Sequence, residues 1–295
     1  MLKRSLVFTS AVALSLKNNQ LVVSYKDMPD EKRTIPIEDI GCVIVENQMT
    51  TMTMPIINAL ADANVAVIIC DGKSMPNAMV QSFGANITQG ETLRNQMSVG
   101  EVLKKQLWKQ IVEAKIRNQA LLLNKLGKNG DKLKPFYMNV KSGDSDNREG
   151  IAARLFWQEL FGDGFTRDRE EPGLNALLNY GYTILRAATA RSLVASGLLP
   201  AIGLFHHNRS NAFPLADDVM EPYRPYVDEI VYTMYQQGQV TLNQQTKGIL
   251  INVLYCDTKF EKVMRPLSVG LTMTTASLTK CYAKETTKIV FPSIT

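Results

Sequence analysis

Leu14-Ser15-Leu16-Lys17-Asn18-Asn19-Gln20-Leu21-Val22-Val23-Ser24-Tyr25 alternates with period two on both sides of an Asn-rich turn. Such alternation marks half-buried strands, and asparagine tolerates the positive φ of a tight loop, so the stretch reads as a β-hairpin. It also settles how the preceding residues are read. Lys3-Arg4, Leu6-Val7-Phe8 and Ala11-Val12-Ala13 imitate an export signal, but the apolar run is short, carries Thr9 and Ser10, and leads at once into the hairpin. No run approaches membrane-spanning length. The expected compartment is the cytoplasm, with no membrane partner.

Outward from the hairpin, Cys42-Val43-Ile44-Val45 and the fully apolar Val65-Ala66-Val67-Ile68-Ile69 read as strands, the second buried on both faces. Between them Met54-Pro55-Ile56-Ile57-Asn58-Ala59-Leu60-Ala61 reads as a short helix with Pro55 in its first turn. Asp71-Gly72, Pro76, Gly84 and Gly90 then mark loops. From Glu91 the apolar period becomes helical: Leu93, Met97, Leu103, Leu107, Ile111, Ala114 and Leu121 recur at three- and four-residue steps, in one long helix or two in succession. Asp146 or Asn147 caps a further helix through Ile151, Leu155, Phe156 and Leu160. Another runs from Leu174 to Ser196 and stops at Gly197, and Asp228 to about Gln237 is helical. The expectation is an α+β chain: a β-rich N-terminal domain over 1–75, a linker over 76–90, and a larger all-helical or nearly all-helical domain over 91–295.

The net charge is +5 in 295 residues, and it is local. Between Glu101 and Arg148 eleven Lys or Arg face five Asp or Glu, a surplus of six. Lys104, Lys105, Lys109, Lys115 and Arg117 lie on the polar side of the first long helical run, where a solvated face and an anion-binding face look alike. Cys42, Cys70, Cys256 and Cys281 are widely spaced and read as inert thiols in a reducing compartment. A phosphate-binding GxxxxGK[ST] loop, GxSxG, HExxH and GxGxxG are all absent.

Only two histidines exist, His206 and His207, and the acids Asp217, Asp218 and Glu221 follow closely. Imidazole with carboxylates is a ligand mixture for Mn²⁺ or Mg²⁺, with His206 and His207 equal candidates at this point. A further carboxylate is sought at a helix start beside basic groups, and Arg148-Glu149-Gly150-Ile151-Ala152-Ala153-Arg154 meets that description. Glu149 reads either as a ligand or as a simple complement to the helix dipole. Glu221 is either a ligand or an i,i+3 partner of Arg224. Asp218 and Glu221 would share one helix face, although Pro222 and Pro225 crowd that geometry.

These blocks, with Asn179-Tyr180-Gly181-Tyr182-Thr183-Ile184-Leu185-Arg186, Gly197-Leu198-Leu199-Pro200-Ala201-Ile202-Gly203-Leu204-Phe205-His206 and Asp218-Val219-Met220-Glu221-Pro222-Tyr223-Arg224-Pro225, resemble in order those of the CRISPR-associated integrase of the spacer-acquisition module. The last block looks most like the subtype that accompanies a single large effector nuclease. Leu107-Trp108 to Asn118-Gln119 and the strand before Asp71 extend the likeness over nearly the whole chain. The resemblance implies Mg²⁺ or Mn²⁺ on Glu149, His206 and Glu221, and a metal-dependent DNA integrase or endonuclease that inserts short duplexes into a repeat array by 3′-hydroxyl transesterification. It implies a homodimer, a small companion CRISPR-associated subunit, and double-stranded DNA as prespacer and repeat array. His207 then becomes a phosphate contact or a support to the ligands, and Asp217 and Asp218 become groups that orient them. Candidate DNA contacts are Lys104, Lys105, Lys109, Arg148, Arg154, Arg186 and Arg209, with Arg186 equally readable as a structural partner of a buried acid. A stand-alone metal-dependent nuclease and a non-catalytic DNA-architectural subunit are the rival readings.

Overall fold

Both residues of the Asn18-Asn19 turn adopt positive φ, 50° and 57°, the left-handed backbone of a type I′ loop. In the computed structural model, which describes residues 3–25, 28–72, 75–80, 82, 84, 86–168, 170–206 and 208–295, the turn follows the first strand, β1 (Arg4–Phe8), and joins β2 (Val12–Lys17) to β3 (Gln20–Tyr25) in register Lys17 to Gln20. The described chain divides into two compact units, Met1–Ile87 and Thr88–Thr295.

The N-terminal unit continues with β4 (Met28–Pro36), β5 (Ile40–Val45), β6 (Thr51–Met52), helix α1 (Met54–Asp62), β7 (Ala66–Cys70) and β8 (Pro76–Val80). Two four-stranded sheets result, ordered β1-β5-β7-β8 and β4-β3-β2-β6. Leu14, Leu21, Val23, Ile40 and Val43 share one core with Ile56 and Leu60 of α1. Each such side chain contributes ~1.5–3 kcal/mol when fully buried. Strand β8 lies inside the stretch read as a linker. It pairs antiparallel with β7 at the sheet edge, where a proline at the strand start costs no ladder bond. Ile69 is 39% exposed, so β7 is not covered on both faces throughout.

The second unit holds α2 (Gln89–Met97), α3 (Glu101–Lys125), α4 (Lys134–Met138), α5 (Arg148–Phe161), α6 (Leu174–Ala195), α7 (Pro214–Met220), α8 (Arg224–Gln236), α9 (Gln244–Ile251) and α10 (Leu267–Tyr282). Helix α3 is the hub for α5, α8 and the turns around them, and α6 packs on α7, α8, α9 and α10. The helical run breaks into two at Gly100, which caps α3. In α2 the buried side chains are Thr92 and Gln96, while Met97 is 73% exposed, so the expected core stripe there is out of phase. Ile151 is likewise 46% exposed; α5 buries Ala152, Phe156 and Leu160. Helix α6 ends as its sequence predicts: Gly197 has φ 77° and its N–H, with that of Leu198, returns to Val194 and Leu193 carbonyls.

The helical unit also contains a small hairpin, β9 (Asp257–Phe260) with β10 (Val263–Pro266). Its loop places Glu261 at φ 48° without the Asn-Gly signature of such turns, which left it invisible in the sequence. Cys42, Cys70 and Cys281 are buried and Cys256 is half-buried. Among the described residues no helix is long and apolar enough to cross a membrane.

Candidate active site

Four elements of the helical unit build the site, and each is fixed by local chemistry. The start of α5 is capped twice: Asn147 Oδ1 accepts the Gly150 N–H at 3.2 Å, and Asp144 accepts those of Arg148 and Glu149 at 2.8 and 3.0 Å. Asp146 does not cap; it takes the Arg148 guanidinium at 2.8 Å. Glu149 therefore sits in the first turn of α5. Helix α7 gives way to a 3₁₀ turn, Glu221–Tyr223, and then to α8. Pro222 and Pro225 open these two segments, where a missing N–H costs no helical bond. They let the backbone turn at Glu221.

Glu149 and Glu221 converge on one cation, Lys115 of α3. The ammonium is 2.5 Å from Glu149 Oε1 and 2.6 Å from Glu221 Oε2, and the lysine side chain is only 8% exposed. Glu221 Oε1 takes Arg224 at 2.8 Å. Burial disfavours the charged lysine, but the Glu221 and Glu149 carboxylates outweigh it and hold the Lys115 pKa above its ordinary value. Reciprocally, the Lys115 charge keeps the Glu149 carboxyl below the usual range.

His206 lies on the loop between α6 and α7. Asp218 Oδ1 is 2.6 Å from His206 Nδ1, and Asp218 Oδ2 accepts the N–H groups of Leu204 and Phe205 at 2.6 and 3.1 Å. A carboxylate accepts only, so Nδ1 carries the hydrogen and the lone pair is left on Nε2. The bond to Asp218 raises the His206 pKa against the opposing effect of burial. Gly203 makes the wrap possible: a Cβ there would stand 2.6 Å from the His206 carbonyl oxygen and 2.9 Å from Pro214 Cβ. From the other side buried Gln96 donates to the Leu199 and Ile202 carbonyls at 3.0 and 3.1 Å and accepts the Leu199 N–H at 2.9 Å. Trp108 stacks on Phe205 at 4.4 Å and meets the His206 ring edge-on.

The expected ligands Glu149, His206 and Glu221 are thus drawn to one region, His206 within electrostatic reach of both acids. They are not closed into a ligand set: among the described residues no three His, Cys, Asp or Glu side chains are gathered as a metal site. Instead Lys115 holds Glu149 Oε1 and Glu221 Oε2, and Arg224 holds Glu221 Oε1. Nevertheless, the donors suit a hard divalent ion. Glu221 Oε2 is buried with no hydrogen bond of acceptable geometry despite its ion contact, both acids point at one positive centre, and the Asp218-held imidazole has the orientation of a metal ligand.

The other expected residues are divided. Asp218 orients His206, but Asp217 does not; it binds Arg186 bidentately, Nε to Oδ1 at 2.6 Å and the second nitrogen to Oδ2 at 2.5 Å, with Asn211 at 2.7 Å. Arg186 is therefore the partner of a buried acid, and its hydrogen bond helps hold the Asp217 pKa down against burial. Lys104 pairs with Glu101 and Lys109 with Glu113, while Lys105, Arg154 and Arg209 are exposed. His207 lies outside the described residues. Sequence reasoning missed Lys115 as a site residue, although its place four residues after Ile111 on the buried stripe was the available signal. It also missed Gln96, Asp144 and the buried pair Tyr182–Asp228, in which the tyrosine hydroxyl donates to a carboxyl that burial raises to about 7.

The sequence matches the family described as CRISPR associated protein Cas1 over residues 6–254. A CRISPR-associated endonuclease Cas1 from Neisseria meningitidis serogroup C (strain 8013) is 40% identical over 264 residues, covering 88% of this chain and 85% of that protein. Two solved structures share the fold: a casposase bound to integration product, at TM-score 0.80 and 18% identity over 98% of this chain and 92% of that one, and a Cas6-RT-Cas1–Cas2 complex, at TM-score 0.75 and 22% identity over 99% of this chain and 36% of that one. With a family match across most of its length and this degree of identity, the chain belongs to the CRISPR-associated Cas1 family.

Proposed function

We propose that this protein is a metal-dependent DNA integrase, which joins the 3′-hydroxyl ends of short duplexes into a repeat array by exchanging one phosphodiester for another. The observation that carries the reading is the convergence of Glu149 and Glu221, from separate helical segments, on a single positive centre beside an imidazole oriented by Asp218. Bound there, Mg²⁺ or Mn²⁺ would make a hydroxyl nucleophilic and neutralise charge on a phosphodiester. Glu149, Glu221 and His206 Nε2 are the atoms that would hold it. Asp218 keeps the proton on Nδ1, Gln96 and Gly203 fix the loop, and Trp108 with Phe205 walls one side of the ring. Exchange of like bonds is nearly thermoneutral, which agrees with the absence of a phosphate-binding loop.

The named relative is an endonuclease, and the fold neighbours include a casposase with integration product and a complex containing Cas2. These support DNA as substrate and a Cas2-type companion subunit; a homodimer and a cytoplasmic setting complete the proposal. The Asp218-to-Pro225 block supports service alongside a single large effector nuclease. A second reading has its own observation: Glu221 pairs with Arg224 and both acids pair with Lys115, as they would in a DNA-architectural subunit without chemistry.

Incubation of the protein and companion subunit with a target plasmid, Mn²⁺ and duplexes carrying free or blocked 3′-hydroxyls separates these readings. Joined product that requires the free hydroxyl is expected, and E149Q, H206A and E221Q should lose it while retaining DNA binding. Cutting that ignores the block, with no joined product, would identify a stand-alone nuclease. Undiminished activity in all three variants would leave the acids a structural role.

A further inference from the structure

Lys115 is an unusual occupant for a carboxylate site. Its ammonium bridges Glu149 Oε1 and Glu221 Oε2 at 2.5 and 2.6 Å, the position in which two acids best share one positive charge. The same side chain lines a cavity of about 500 Å³ whose wall also carries Arg154, Arg167 and Arg224, with the acids Asp163 and Asp228. Gln119, 3% exposed, has a buried Oε1 with no hydrogen-bond partner, and Arg224 Nε is buried without an acceptor. The residues around the cavity thus combine three guanidinium groups, two carboxyls and two buried polar atoms without hydrogen-bond partners.

We propose that Lys115 is an internal counter-cation which a divalent ion displaces, and that its withdrawal into this cavity couples metal binding to binding of a DNA phosphodiester. The inference rests on the metal reading of Glu149 and Glu221 given above. A lysine ammonium and a dication cannot both sit on the same two oxygens, because their mutual repulsion in a buried setting exceeds what two shared carboxylates offset. The adjoining cavity offers the long side chain space. The wall carries three guanidinium groups to two carboxyls, Asp163 and Asp228, so an added cation is unfavourable there alone, and a phosphodiester supplies further negative charge. Metal and phosphate therefore favour the same displaced state of Lys115, so each strengthens the other, reciprocally. Without either, the ammonium keeps two adjacent carboxylates from repelling one another.

The test is Mn²⁺ titration of the full-length protein by calorimetry, with and without a duplex whose 3′ ends are blocked so that no joining occurs, in wild type, K115M and K115R. Wild type should bind Mn²⁺ weakly alone and ~5–150-fold more tightly with DNA, the range typical of coupled sites. K115M should bind Mn²⁺ more tightly than wild type without DNA, by ~10-fold or more, and gain little from DNA. K115R should resemble wild type without DNA. Absence of a DNA-dependent gain in wild type overturns the proposal by itself, whatever the variants do. So does a folded K115M, checked by its melting curve, that binds Mn²⁺ no tighter or keeps the full gain. Mn²⁺ binding that E149Q leaves unchanged, or no binding by wild type in either state, refutes the metal reading itself; wild-type binding that E149Q abolishes, with no effect of Lys115, refutes the coupling alone.

Discussion

Asp218 binds His206 through Nδ1 at 2.6 Å while its other oxygen gathers the Leu204 and Phe205 N–H groups. One buried carboxylate thus sets both the tautomer of the imidazole and the course of the loop that carries it. D218N replaces an acceptor-only group with one that presents an amide to part of this cluster. Mn²⁺ affinity should fall ~10–100-fold, as for other groups that orient a metal-ligating histidine. Titration of wild type and variant at one pH checks this; equal affinities would show that Asp218 does not support a ligand.

Gly203 is the tightest point of the same loop. In G203A the new methyl meets the His206 carbonyl oxygen at 2.6 Å, Pro214 Cβ at 2.9 Å and Asp218 Oδ2 at 3.1 Å. The expected loss is ~1–3 kcal/mol of stability, the usual cost of overpacking, together with reduced strand joining from a displaced His206. Urea unfolding and the joining assay measure the two effects, and a change in neither would mean the loop yields freely.

Asp228 is 1% exposed, and burial raises its carboxyl to about 7. The folded protein then holds a proton that the unfolded chain releases near its ordinary, lower pKa. Stability from this group is fully present below the unfolded value and is lost as pH rises toward about 7. Denaturant unfolding between pH 5 and 7 should show a decline of up to ~1.4 kcal/mol per pH unit that D228N removes. An identical pH slope in the variant would exclude Asp228 as the source.

Lys104, Lys105 and Lys109 test the basic stretch of α3. Two of them pair with acids on their own helix, so their contribution to DNA binding depends on phosphate replacing a weak surface partner. The triple change K104E/K105E/K109E should weaken DNA binding and lower the salt slope by up to ~3, about one per lost phosphate contact, with Mn²⁺ affinity unchanged. DNA binding that matches wild type at every salt concentration would move the interface elsewhere.

Local chemistry was the readable part. The Asn18-Asn19 turn, Pro55 at the start of α1, Asn147 at the start of α5 and Gly197 at the end of α6 each obey a constraint set within a few residues. The candidate site was partly legible for the same reason: an acid at a helix start and a histidine followed by acids are patterns along the chain. Met97, Ile151 and the β9–β10 hairpin were misread because exposure and strand pairing depend on neighbours distant in sequence.

By itself, then, the sequence determined the division into a β-rich and a helical part, the ends of α1, α5 and α6, and the identities of Glu149, His206 and Glu221 as residues to watch. Only the tertiary structure decided what each side chain meets. It gave Asp218 to His206 and Asp217 to Arg186, two adjacent acids pointing opposite ways, and it put Lys115 between Glu149 and Glu221. The reason is physical: turns and caps are satisfied by backbone groups nearby, whereas a buried charge must find its counter-charge across the packed helices, and which one it finds depends on how those helices close together.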